Sequence, residues 1–511
     1  MSDRSDTGRG ATPQGRTPTA PLQGPQRTWE ALDRDLNRIS RVEDAAFYVA
    51  RPLVGIGVAM VFIALAAVWA TLIVGGLPGG VMIVLASVFA AYLALNIGAN
   101  DVANNMGPAV GAQALTMGWA LAIAAVCETA GALIAGGEVV GTIANGIVAP
   151  TSFASTDIFV IAMIGALLSS AIWINLATWI GAPVSTTHAI VGGMLGAGIA
   201  AAGFGGVDWG GIGRIALSWV ISPLLGGVLA AAVLAALHRL IIDRADKIAA
   251  ARVWVPVLIG VMSWAFGAYL TIKGLKQIVH VTFGGALLIG LAAGVIAYLL
   301  SRPYVRYKAK GLENRNKSLK VLFQLPLVLS AALMSFAHGA NDVSNAIGPL
   351  AAIVHALGQD SSSAITIPTW VMVIGALGIS VGLLLFGPKL IAMVGDQITK
   401  LNAMRAYCVA LSAAVTVIAA SWLGLPVSST HIAIGGIFGV GFFREWTEAR
   451  RMSRGDDNSP TSPSIATEER SRRKLVRRSH FLTIIAAWVI TVPATAFLSA
   501  LSFLTLRLFV G

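Results

Sequence analysis

Gly98-Ala-Asn-Asp-Val-Ala-Asn-Asn-Met-Gly-Pro108 returns later in the chain as Gly339-Ala-Asn-Asp-Val-Ser-Asn-Ala-Ile-Gly-Pro349. A second polar motif, Pro183-Val-Ser-Thr-Thr-His188, returns as Pro426-Val-Ser-Ser-Thr-His431, with Trp179 and Trp422 each four residues upstream of the proline. Asp342 follows Asp101 by 241 residues and His431 follows His188 by 243. Two unrelated motifs in one order at nearly one offset mark a duplicated chain, and that duplication organises everything around it.

The motifs stand in an apolar background. Of the 511 residues 56% are hydrophobic and 12% charged, and mean hydropathy is +0.77, whereas an average soluble protein is roughly 25% charged. Such a composition excludes a disordered chain or an ordinary cytosolic enzyme. The two cysteines, Cys127 and Cys408, lie inside apolar runs and cannot frame a disulfide scaffold. Runs of about 20 apolar residues read as membrane spans. They include Leu53–Val74, Val81–Ile97, Trp119–Ala135, Ile158–Ile180, Ile215–Leu237, Val253–Ile272, Phe283–Leu300, Val321–Phe336, Trp370–Phe386, Ala406–Leu423 and Phe481–Phe509. Val184–Ala202 and Val427–Phe443, Gly-rich and led by hydroxyl residues, read as spans or half-helices, and the pieces Gly107–Leu115 and Gly348–Leu357 are too short to cross alone.

The net charge of +12 would suggest a nucleic-acid partner until the basic residues are mapped. Of 36 Lys and Arg, 8 lie in Met1–Arg51, 7 in Arg302–Lys320 and 10 in Arg444–His480, and none lies between Arg51 and Arg214. Cytoplasmic loops of an inner or plasma membrane protein carry this excess, so no nucleic acid is expected. With those loops inside, the helix leading into Asp101 runs inward and the one leading into Asp342 runs outward. The expected fold is therefore all-α: a polytopic membrane protein of about 12–13 transmembrane helices in two inverted repeats, with broken helices at the midplane, the N-terminus cytoplasmic and Gly511 external. Its parts are a disordered cytoplasmic tail (1–51), an extra first span (52–75), a first repeat (80–238), connecting helices with a basic loop (239–320), a second repeat (321–443 and 481–511), and a basic loop (444–480) within it.

Carboxylates inside a membrane are costly and mark ion or proton pathways. Asn100, Asp101 and Asn104, with Asn341, Asp342 and Asn345, interrupt apolar helices with oxygen ligands that suit a hard cation such as Na⁺, or a proton acceptor. The alternative is that they only cap broken helices. Ser185, Thr186 and Thr187, with Ser428, Ser429 and Thr430, open helices whose free N–H groups and partial positive charge can hold an oxyanion without a cationic side chain; plain capping is the alternative. His188 and His431 are expected to pack or to support by hydrogen bonds. His338 has no equivalent in the first copy, where it is set against Leu95, and this weakens any direct role. Glu128 in mid-span, with Ile379 as its counterpart when Gly131 is aligned with Gly382, is either a lone coupling acid or a neutral buried one. Lys389 and Asp396 are expected to snorkel to an interface.

Together the duplicated Gly-Ala-Asn-Asp-Val-x-Asn and Pro-Val-Ser-(Thr/Ser)-Thr-His motifs resemble the signature of the inorganic phosphate transporter (PiT) family, over roughly Val81 to the C-terminus. The resemblance implies inverted repeats, a lipid bilayer setting, symport of inorganic phosphate with Na⁺ or H⁺ and no other cofactor, and a homodimer. It also implies phosphate on Ser185, Thr186, Thr187, Ser428, Ser429, Thr430, Asn104 and Asn345, and the coupling ion on Asn100, Asp101, Asn341, Asp342 and Glu128, with Asp101 and Asp342 ligating Na⁺ if sodium is the partner. A sulfate permease of the same fold is the near alternative. An intramembrane hydrolase using Ser185 or Thr187 with His188 is a remote one, because an enzyme needs one asymmetric nucleophile site, not two copies.

Overall fold

The computed structural model describes residues 53–274, 281–358, 367–397, 402–453 and 478–510. The tail 1–51, most of the loop 444–480 and Gly511 lie outside these residues. The described chain contains no strand, only an isolated bridge between Val148 and Val207. Its helices are α1 (Leu53–Val74), α2 (Gly80–Gly111), α3 (Met117–Ala135), α4 (Gly137–Asn145), α5 (Thr156–Ile180), α6 (Thr186–Ala202), α7 (Trp209–Leu237), α8 (Lys247–Lys273), α9 (Phe283–Lys308), α10 (Leu319–Leu322), α11 (Gln324–Leu357), α12 (Thr369–Gln397), α13 (Ala403–Trp422), α14 (Ser429–Ser453) and α15 (Arg478–Val510). Among the described residues, ten helices are long and apolar enough to cross a membrane. Helix is the expected solution, because lipid offers no partner for an open backbone N–H or C=O. The protein is a multi-pass membrane protein.

The Asn-Asp motifs do not break their helices, contrary to expectation. α2 runs unbroken for 32 residues and α11 for 34, each straight through its motif and through Pro108 or Pro349. Gly348–Leu357 thus forms the last turns of α11, and Gly107–Leu115 the last turn of α2 with the turn that follows it. Asn and Asp disfavour a helix when they bond back to their own backbone. Here the side chains are engaged elsewhere: Asn100 Nδ2 donates to Thr178 Oγ1 and to the carbonyl of Ala182. The interruptions fall at the other motif. Gly181 (φ 78°) and Gly424 (φ 65°) adopt the left-handed conformation beyond the ends of α5 and α13, and extended segments lead from them into α6 and α14. α5 packs on α6, and α13 on α14. The far end of α6 returns to the level of the α4–α5 connection, where Gly198 faces Val148 and Gly206 faces Ser152. Each pair is therefore a helical hairpin whose tip carries the Pro-Val-Ser motif.

Helix packing exchanges elements between the two copies. α3, which follows the first Asn-Asp motif, packs on α11, which carries the second; α12, which follows the second, packs on α2. Small residues set the approach. A Cβ on Gly339 would strike the backbone of Glu128, and one on Gly98 the backbone of Ile379. A Cβ on Gly131 would strike Phe336, and one on Gly382 would strike Leu95. Glu128 and Ile379 are thus equivalent positions, as the alignment of Gly131 with Gly382 expected. Gly339→Val should prevent α3 from seating on α11, since backbone cannot yield as a side-chain tip does; overpacking alone costs about 1–3 kcal/mol. We expect loss of monodisperse protein from detergent extracts, whereas Gly284→Val, with open space around its Cβ, should extract normally.

Candidate functional site

Both hairpin tips end against the Asn-Asp motifs, and the two contacts are built alike. Asn100 Oδ1 accepts the backbone N–H of Val184 at 3.3 Å, and Asn341 Oδ1 accepts that of Val427 at 3.3 Å. The Asn341 amide donates to Ser421 Oγ (3.1 Å) and the Leu425 carbonyl (3.2 Å), as Asn100 does to Thr178 and Ala182. Both side chains are therefore engaged in clamping a tip. Ser185 and Ser428 are N-caps, accepting the backbone N–H of His188 and His431 at 3.2 and 3.3 Å. Ser185→Ala and Ser428→Ala should each lower stability by about 1 kcal/mol; a thermal melt in detergent reads this, with uptake per folded molecule little changed.

The first residues of α6 and α14 reach the acids. Thr186 Oγ1 donates to Asp101 Oδ2 at 2.9 Å and Ser429 Oγ to Asp342 Oδ2 at 3.0 Å. The next residues cross between copies. Thr430 Oγ1 donates to Asp101 Oδ1 at 3.2 Å, and Thr187 Oγ1 to the Val427 carbonyl at 3.0 Å. Asn104 Nδ2 reaches Thr430 Oγ1 (2.8 Å) and Asp101 Oδ1 (3.3 Å). Asn345 Nδ2 reaches Asp342 Oδ1 (3.0 Å), Thr187 Oγ1 (3.1 Å) and Thr186 Oγ1 (3.3 Å). Hydroxyls, amides and carboxylates, read from sequence as two sets, form one buried network spanning both copies.

His338 stands at its centre, although its lack of a counterpart in the first copy weighs against a direct role. Its Nε2 lies 2.8 Å from Asp342 Oδ2 and 3.7 Å from Asp101 Oδ2, and its Nδ1 lies 3.2 Å from Glu128 Oε2. Asn105 donates to Glu128 Oε1 at 2.8 Å. All three acids and the imidazole are fully buried. Counting back from the equivalent Gly98 and Gly339 puts Ile97, not Leu95, opposite His338. Being unduplicated does not exclude a residue, because a site shared by two copies needs only one. Sequence reasoning also passed over Asn105, whose counterpart is Ala346, and Trp219 of α7, on which His188 stacks at 3.7 Å. His188 and His431 meet at 4.5 Å between ring centres, and His188 Nδ1 lies 2.7 Å from the capping Ser185 Oγ. The His188 ring is thus tied into the cap of α6. Lys389 Nζ donates to the Trp179 carbonyl at 3.2 Å beside the first tip; the side chain of Asp396 lies outside the described residues.

Three carboxylates in a dry interior cost far more than one imidazole offsets. The arrangement calls for cations or protons. One atom each from Asp101, His338 and Asp342 lie within 4.8 Å of one another, the spacing of ligands around a single ion. Around them stand hydroxyl donors at two helix N-termini, which favour an anion. The site is thus equipped for opposite charges at once.

The sequence profile of the phosphate transporter family matches residues 97–499. A putative phosphate permease of Helicobacter pylori strain J99 is 42% identical over 92% of this chain and 98% of its own. One from Thermococcus kodakarensis is 36% identical over 80% of this chain and 94% of its own. Among solved structures, a sodium-dependent phosphate transporter aligns with a TM-score of 0.75 and 32% identity, covering 84% of this chain and all of that one.

Proposed function

The chain belongs to the phosphate transporter family, and from that premise we propose that it is a secondary transporter that carries inorganic phosphate together with Na⁺ or H⁺. The family transports rather than catalyses, so the hydrolase alternative falls away, and none of these relatives lends support to sulfate. The observation that carries the proposal is the joining of Asp101 and Asp342 to the hydroxyl-led helix starts of both hairpins. Phosphate takes its hydrogen bonds from Thr186, Thr187, Ser429 and Thr430 and from the amides of Asn104 and Asn345. The two carboxylates take the coupling cation. Each ion offsets the desolvation cost of the other, which makes joint movement cheaper than movement of either alone. Thr186, Ser429 and Thr430, whose hydroxyls bond the carboxylates, turn to phosphate when a cation occupies the acids. The hairpin tips, held to α2 and α11 by the Asn100 and Asn341 clamps, are the elements whose tilting opens the site to one side at a time.

Uptake of labelled phosphate into proteoliposomes, with Na⁺ and pH gradients imposed separately and sulfate as competitor, tests the reading. We expect accumulation driven by one of the gradients and weak competition by sulfate. Uptake that neither gradient drives would remove the symport proposal, and equal competition would remove the selectivity. Oxygen ligands from Asp101, Asp342 and the hydroxyls suit Na⁺, whereas His338 amid the acids offers a place for a proton; the two gradients separate these.

A further inference from the structure

Glu138 and Lys389 occupy one position in the two copies. Each stands seven residues beyond the paired glycines Gly131 and Gly382. A second pair keeps the same register: a Cβ on Gly136 would press on Val343, and one on Gly387 on Val102, the residue after each motif Asp. The start of α2 meets the end of α11, where a Cβ on Gly79 would touch Leu357, so these two helices run in opposite directions. Glu138 therefore lies toward the end of α11 and Lys389 toward the end of α2, at opposite faces of the protein. Each also lies against a hairpin tip. Lys389 Nζ donates at 3.2 Å to the Trp179 carbonyl, in the last turn of α5. At the other tip, a Cβ on Gly424 would come within 3.2 Å of Thr142 Oγ1 and 3.7 Å of the Glu138 carbonyl, both on α4. The Glu138 carboxylate forms an ion pair with Lys273, in the last turn of α8.

We propose that these contacts are two locks, one at each face, and that Lys389 and the Glu138–Lys273 pair each set how readily the neighbouring tip leaves the central site. The inference rests on the transport reading of that site and adds residues that govern access to it. A helix C-terminus carries a partial negative charge, which a cation offsets. Lys389 supplies that cation to α5 directly. α13 ends instead beside an acid, which its own partial charge would repel. Lys273 neutralises the acid, so α4 rests on Gly424 and the tip stays seated. The geometry of the two locks is thus shared while their chemistry differs: a side chain bonds a carbonyl at one tip, and an ion pair acts through α4 at the other. With both locks closed, Asp101, Glu128, His338 and Asp342 are fully buried. Opening one lock while the other holds admits an ion from one face only, which alternating access requires. With the basic loops inside, Lys389 locks the cytoplasmic face and Glu138 the external one.

Amide hydrogen exchange, read by mass spectrometry on the full chain in nanodiscs, tests the locks. The segments compared are 181–188 and 424–431, in which the N–H groups of Val184 and Val427 bond the Asn100 and Asn341 clamps when the tips are seated. Lys389→Met keeps an apolar stem and removes the charge. It should speed exchange about threefold or more in 181–188 and leave 424–431 unchanged. Lys273→Met leaves Glu138 unpaired beside the end of α13 and should do the reverse. Lys389→Arg keeps a cation beside Trp179, and the exchanged pair Glu138→Lys/Lys273→Glu keeps an ion pair on α4, so both should exchange as wild type does. A purely structural role would loosen both segments together in either single variant. Exchange that rises equally in the two segments, that rises in neither, or that the charge-retaining variants fail to restore overturns the proposal. The transport reading fails by a different result, uptake that neither gradient drives, so the two failures are told apart.

Discussion

Asp101→Asn and Asp342→Asn should each reduce coupled phosphate uptake by at least about a hundredfold, equivalent to about 2.7 kcal/mol, while the protein still inserts and extracts as folded material. The amide keeps the size and planarity of the carboxylate and removes its charge and proton site. At Asp101 the bonds from Thr430 and Asn104 end on Oδ1 and that from Thr186 on Oδ2, and an amide preserves only those that meet its remaining oxygen. The network loosens, yet no large void opens, so folding survives and the cation site does not. Thr187→Val separates the roles from the other direction. It removes one hydroxyl that donates to the Val427 carbonyl and accepts from Asn345. The loss of a hydrogen bond to an anion is worth about 1.5–3 kcal/mol, so phosphate affinity should fall by about tenfold or more with the ion dependence unchanged. Initial rates across a matrix of Na⁺, pH and phosphate concentrations measure both effects. Unchanged ion dependence in both Asp variants would make the acids structural caps.

Much of this arrangement was legible in the residue pattern because duplication doubles every signal. The pairing of Glu128 with Ile379 emerged from two glycines, and the structure places those glycines against Phe336 and Leu95 at equivalent depth. The Asn-Asp motif misled in one respect. Asn and Asp read locally as helix breakers, but Asn100 and Asp101 find partners on α5, α6, α14 and the first tip, and a partner across the fold removes the competition with their own backbone. No local pattern announces that. The tips were readable only as hydroxyl-led segments, because whether such a segment crosses or turns back depends on what packs at its far end, here Val148 and Ser152 against the last turn of α6 and beyond. His338 was missed for a related reason. Searching for what repeats hides what a shared site needs once, and Ile97 and Ile379 show that the equivalent positions of the other half are satisfied by apolar contact.

That asymmetry supplies the second large prediction. His338→Ile alone leaves Glu128 and Asp342 buried without their imidazole partner, and breaking a buried ionic contact from one side costs about 3–5 kcal/mol. The single variant should therefore accumulate poorly in the membrane and melt early. Glu128→Ile alone removes the acid but strands Asn105, whose amide donates to Glu128 Oε1, at a cost of about 1–3 kcal/mol. The double variant His338→Ile/Glu128→Ile reproduces at both positions the residues the other half already carries, Ile97 and Ile379. Its stability should exceed that of His338→Ile, and its loss relative to wild type should be smaller than the sum of the two single losses, a coupling measurable as a double-mutant cycle on melting temperature. Phosphate uptake, in contrast, should stay about a hundredfold or more below wild type, because the imidazole that spans Asp342 and Asp101 is gone whichever way the fold is repaired. If the double variant recovers uptake along with stability, His338 and Glu128 are a structural pair and the transport site is the symmetric set of Asp, Asn, Ser and Thr side chains alone.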